Sequence, residues 1–155
     1  MKKVFKNFEE ILCAFFLIIM VLLVILNVIL RYAFNYSLFW SEEVATICFV
    51  WSVFIGAAAV YKHQMDIGID VLIKKLSAKR QKVAQVIVRF LALIINAYIF
   101  YMSIVFTLAA AGKPMAVLGV SSVVINSALI FGFGLMTFHT LRFIRIDLRN
   151  ITLGS

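Results

Sequence analysis

Glu42 and Glu43 stand side by side at the mouth of an apolar run, in the stretch LFWSEEVATICFVW (38–51) of a chain with only seven acidic residues in 155. Adjacent carboxylates in such a place suit four tasks: holding a proton, holding a cation, capping a helix, or docking a partner. Ser41 is a natural N-cap, and both carboxylates then fall in the first helical turn, where the macrodipole favours negative charge by about 0.3–1 kcal/mol each. Trp40, Glu43, Ile47 and Trp51 also share one broad face at helical spacing. Such a polar-to-aromatic stripe either packs within the chain or meets another membrane protein. Arg31 is the nearest candidate cation for either carboxylate.

The two histidines, His63 and His139, are the other candidates. Both fall near the same ends of their apolar runs, so a haem held between them is a conceivable arrangement, and the chain would then anchor a redox complex. Paired Cys or His at metal-binding spacing is absent, as are a phosphate-cradling glycine loop and a nucleophile elbow. No enzyme chemistry is legible. Asn27, Asn96, Asn126, Ser52, Ser103, Thr107 and Ser127 are polar positions inside apolar runs, where interhelical hydrogen bonds worth about 0.6–2 kcal/mol are the usual partners.

The elements that carry these residues follow from composition. A chain with 65% hydrophobic and 14% charged residues is an all-α integral membrane protein, because spanning a bilayer takes about 20 apolar residues and only helices or closed barrels satisfy the backbone there. Four such runs are present, over about 11–30, 44–61, 86–111 and 115–141, giving one four-helix membrane domain over 1–155. The first run exceeds the roughly 7–15 apolar residues of a signal core and lacks a small-x-small cleavage site, so it reads as a retained helix. The fourth, at about 27 residues, would be roughly 40 Å long and must tilt or protrude.

Thirteen of the fifteen Lys and Arg residues fall in the N-terminal segment, the 62–89 connection and the C-terminal tail, leaving Arg31 and Lys113 on the other side. The positive-inside rule puts both termini in the cytoplasm and LFWSEE outside. A net charge of +8 distributed around membrane spans points to anionic phospholipids rather than nucleic acid. Between the second and third runs, Asp70 can cap a short helix with Val71, Leu72, Ile73 and Leu76 on its apolar side and Lys74 and Lys75 on its polar side. An amphipathic interfacial helix over about 66–77 is expected there. Tyr32, Tyr36 and Trp40 suit the headgroup belt, and Gly112 with Pro114 marks the turn between the last two runs. Cys13 and Cys48 lie at different depths and read as packing residues.

Charged groups at mid-membrane depth, or a pair of interrupted helices, mark most secondary transporters. Neither is seen: Arg89 lies near the cytoplasmic end of its run, where it snorkels. A stand-alone exporter is therefore a poor match.

The segment from Leu26 to Asp70 combines an Asn and Arg closing the first span, Trp40 with Glu42 and Glu43 opening the second, the FVW…F.GAA run, and His63 followed by Asp66 and Asp70. In that order these elements resemble the small membrane subunit, the DctQ-type component, of tripartite ATP-independent periplasmic (TRAP) transporters. Leu76 and Ser77 depart from that pattern, in which a Pro closes the cytoplasmic amphipathic segment.

The resemblance implies a scaffold in a bacterial inner membrane. A large membrane subunit would carry substrate and sodium by an elevator-type movement, a soluble periplasmic protein would deliver the substrate, and this chain would need no cofactor. Organic anions of the C4-dicarboxylate or sialic acid type are the implied cargo, with the reading leaning to sialic acid. Arg31, Trp40, Glu42, Glu43 and Lys113 would form a periplasmic rim that meets the large subunit or the binding protein, with Trp51 packing into the large subunit. His63, Asp66 and Asp70 are the matching cytoplasmic motif.

Overall fold

The structure, a computed structural model, describes residues 7–63 and 78–152. Four helices make up nearly all of it: α1 (Phe8–Phe34), α2 (Phe39–Lys62), α3 (Ala78–Ala109) and α4 (Val123–Thr152). Each contains a stretch long and apolar enough to cross a membrane. The all-α membrane architecture expected from hydropathy is the one observed. The expected interfacial helix, with Asp66 and Asp70, lies outside the described residues.

The helices form a row in the order α1, α2, α4, α3, with neighbours in contact and α1 and α3 at opposite edges. Small residues set the spacing. A Cβ placed on Gly132 of α4 would lie 2.8 Å from the Phe54 Cβ of α2, so only glycine permits that approach. On the other side of α2, a Cβ on Gly56 would lie 3.0 Å from the Cys13 Sγ of α1. Ala58 and Ala128 are fully buried. Lipid tails are as apolar as leucine, so close packing rather than hydrophobic exclusion must hold such helices together. In α1 no residue is fully buried, and its apolar face away from α2 is open to lipid or a partner.

Four details correct the expectations from sequence. First, α1 runs on through Arg31 and Tyr32 to Phe34 and stops at Asn35, whose φ of 50° is left-handed; the Tyr36 N–H then reaches the Leu30 carbonyl (3.2 Å). Second, α2 opens at Phe39, and Ser41 is not its N-cap: the Ser41 hydroxyl donates to the Leu38 carbonyl (2.7 Å), while Asn27 Oδ1 accepts the Leu38 N–H (3.0 Å). Third, the apolar residues 115–122 belong to a folded loop, with Gly119 at φ 65° and an antiparallel bridge between Pro114 and Ser121, and α4 begins only at Val123. Fourth, the hydroxyls of Ser52, Ser103, Thr107 and Ser127 bond to carbonyls of their own helices at 2.7–2.8 Å rather than across to neighbours.

Candidate functional site

Among the described residues, the charged side chains gather towards the two ends of the helices. The loop end holds the α1–α2 connector and the α3–α4 loop. The charged end holds the start of α1 and the finish of α2.

At the loop end, Glu43 projects from α2 into the α3–α4 loop, where its two carboxylate oxygens accept the backbone N–H groups of Val117 and Leu118, each at 2.8 Å. The loop has its own frame: Met115 N–H donates to the Val120 carbonyl (2.8 Å), and the Ser122 hydroxyl donates to the Lys113 carbonyl (2.7 Å). The carboxylate therefore works as a clamp between α2 and the loop. Glu42, one residue earlier, bonds to nothing through its side chain among the described residues, and no ion pair joins Arg31 to either glutamate. Arg31 and Glu42 instead line a groove between α1 and α2 together with Val24, Asn27, Val28 and Ala45. Trp40 is 44% exposed, and Lys113 is exposed on the loop.

Trp51 lies eight residues beyond Glu43, roughly 12 Å deeper along α2. Its indole donates to the Val124 carbonyl at the start of α4 (3.0 Å) and packs between Phe16 of α1 (5.5 Å) and Phe131 of α4 (5.4 Å). The ring that sequence reasoning assigned to another subunit is engaged within this chain.

The charged end was not anticipated. Glu9 and Glu10 open α1, and three helices converge on them. Lys62 Nζ at the end of α2 reaches Glu10 at 3.2 and 3.3 Å and Glu9 at 3.7 Å. His63 Nε2 meets Glu10 at 2.6 Å, and His139 Nε2 of α4 meets Glu9 at 2.9 Å. Because a carboxylate only accepts, both histidines carry their proton on Nε2. That leaves His139 Nδ1 buried and without a partner among the described residues, in a side chain only 6% exposed. The arrangement also suits the backbone: acidic groups sit at the positive start of α1 and basic groups at the negative finish of α2. Nearby, the Thr140 and Tyr61 hydroxyls pair at 2.9 Å, and Arg89 of α3 forms an ion pair with Asp147 of α4. Two carboxylates just ahead of the first apolar run, with Lys62 and His63 closing the second, were the available signal.

This geometry bears on the haem reading. The Nε2 atoms of His63 and His139 are committed to two different glutamates, so a haem iron would have to displace both contacts. Among the described residues, no group of three or more His, Cys, Asp or Glu is placed to hold a metal ion.

Comparison with known proteins supplies the family. The family of tripartite ATP-independent periplasmic transporters, DctQ component, matches residues 20–150. A C4-dicarboxylate TRAP transporter small permease protein from Vibrio cholerae is 42% identical over 76 residues, covering 49% of this chain and 33% of the relative. Two TRAP transporter small permease proteins from Haemophilus influenzae are 36% identical over 85 residues and 30% over 106, covering 55% and 68% of this chain and 53% and 64% of those relatives. The chain thus spans less than two thirds of the length of each. Four membrane-capable helices, the order of motifs from Asn27 to His63 and a match over most of the sequence lead to one conclusion: the chain belongs to the DctQ family of TRAP transporter components, which are not enzymes, and is a multi-pass protein of the bacterial inner membrane.

Proposed function

We propose that the chain is the non-catalytic scaffold subunit of a sodium-coupled TRAP transporter importing organic anions, holding the large elevator-type membrane subunit and helping to dock the periplasmic binding protein. One observation carries this reading: in the described helices no Asp, Glu, Lys or Arg lies between Glu10 and Arg31 of α1, between Glu43 and Lys62 of α2, beyond Arg89 in α3 or before Arg142 in α4, and none of these helices is interrupted. A carrier needs such groups where ion and substrate cross, and a support does not. Sodium binding then falls to the large subunit. The Vibrio cholerae relative's name favours a C4-dicarboxylate over sialic acid as cargo.

In this reading both termini are cytoplasmic, segment 66–77 lies on the inner leaflet, and the basic flanks contact anionic phospholipids. The loop end then faces the periplasm. Trp40, Lys113 and the loop clamped by Glu43 form the part of the rim that meets partners, while Arg31 and Glu42 open onto the α1–α2 groove. The exposed face of α1, away from α2, offers the large subunit a lateral contact.

The test is purification in mild detergent from the native membrane, followed by identification of what accompanies the chain. A large membrane protein in stoichiometric amount is the expected result. A Soret band in the purified material, with no such partner, would instead return the redox-anchor reading.

A further inference from the structure

We infer that the groove between α1 and α2 at the loop end is a binding site for a phospholipid whose zwitterionic headgroup carries a primary ammonium. The groove holds about 270 Å³, the scale of a headgroup and the first carbons of its chains rather than of a whole lipid. Its rim carries one cation and one anion, Arg31 and Glu42, and neither has an ion-pair or hydrogen-bond partner for its side chain among the described residues. Each lies three residues from a helix end, α1's finish and α2's start, hence within roughly 5 Å of the level where these two helices end. Val24 lines the same groove seven residues before Arg31, roughly 10 Å deeper along α1, and Val28 and Ala45 make the wall between apolar.

The chemistry assigns each part of the ligand. Arg31 offers a planar fork of N–H donors to a phosphate. Asn27 lines the same groove, and with its Oδ1 occupied by the Leu38 N–H it has amide donors left for the same phosphate. Glu42 accepts N–H bonds from an ammonium, which a primary amine supplies and a trimethylated choline does not. A glycerol headgroup leaves the Glu42 carboxylate beside a net anion. The apolar wall running down to Val24 receives an acyl chain. A protein helix laid in the groove would have to bring both an anion for Arg31 and a cation for Glu42, since burying either charge unpaired is costly.

The experiment uses the full chain, purified in detergent and mixed with equal amounts of dioleoyl phosphatidylethanolamine, phosphatidylcholine and phosphatidylglycerol, with bound lipid read by native mass spectrometry. Phosphatidylethanolamine is expected to exceed each of the others by about threefold, the scale of one exposed charge contact. Glu42→Gln brings the ethanolamine-to-choline ratio to about one, and Arg31→Gln lowers all three adducts. Circular dichroism of both variants should match the parent, since neither side chain holds the fold. Photoreactive phosphatidylethanolamine in membrane vesicles should label the peptide containing Val24 and Val28. Equal occupancy by the three lipids, a preference that survives Glu42→Gln, or no labelling of that peptide would each overturn the proposal.

Discussion

The Glu43 carboxylate on α2 accepts the backbone N–H of Leu118, 75 positions away, at 2.8 Å, and the neighbouring N–H of Val117 at the same distance. Glu42, adjacent in sequence, faces the opposite task on the α1–α2 groove. Two carboxylates that look interchangeable in sequence are thus separated by about one helical step of 100° into a clamp and a groove wall.

That separation makes the two glutamates distinguishable. Glu43→Ala frees two backbone donors and should cost about 1.5–3 kcal/mol, the range for hydrogen bonds to a charged acceptor. The effect should concentrate in faster amide exchange over 113–121. Glu42→Ala should leave exchange in that loop unchanged, and equal effects from both variants would contradict the clamp.

At the charged end, Glu9 and His139 are both largely buried, at 13% and 6% side-chain exposure. Glu9→Ala strands His139 without its acceptor and weakens the hold of Lys62, so a loss of about 3 kcal/mol is expected. Glu10→Ala removes the contact to the half-exposed His63 and the closer Lys62 contacts, but Lys62 keeps Glu9 and Glu10 is 31% exposed, so the cost should be about 1 kcal/mol. Thermal unfolding in one detergent ranks the two, and the reverse order would show that the network is centred on Glu10 instead.

Gly132 marks the closest approach of α2 and α4, with a Cβ there meeting Phe54 Cβ at 2.8 Å and the Phe54 carbonyl oxygen at 3.1 Å. Gly132→Ala should destabilise by about 1–3 kcal/mol through overpacking. Gly112→Ala, at a position with nothing within 4 Å, is the matched control and should be nearly silent.

Trp51→Phe keeps an aromatic ring between Phe16 and Phe131 but removes the donor to Val124. A loss of about 1 kcal/mol is expected, against about 3–5 kcal/mol for Trp51→Ala. If the phenylalanine variant were as damaging as alanine, the ring contacts would not be what Trp51 supplies.

The four helices were legible because length and apolarity suffice to define them. Their edges were not. Residues 115–122 are as apolar as a span, yet Glu43 and the loop's own hydrogen bonds hold them outside α4, and hydropathy carries no record of a carboxylate 75 residues away. Ser41 looked like a cap because the motif is local, whereas the Leu38 N–H is taken by Asn27 from the preceding helix. Glu9 and Glu10 read locally as an acidic helix start and nothing more; their partners Lys62, His63 and His139 lie 52 to 130 positions on. Long-range pairing of that kind emerges only when the order α1, α2, α4, α3 is known.

The scaffold role is tested most directly by uptake into proteoliposomes under an inward sodium gradient. With this chain as the only protein present, no sodium-dependent accumulation of a C4-dicarboxylate or of sialic acid is expected, and uptake should appear only when the co-purified large membrane protein and its periplasmic binding protein are added. Sodium-driven uptake by this chain alone would contradict the account.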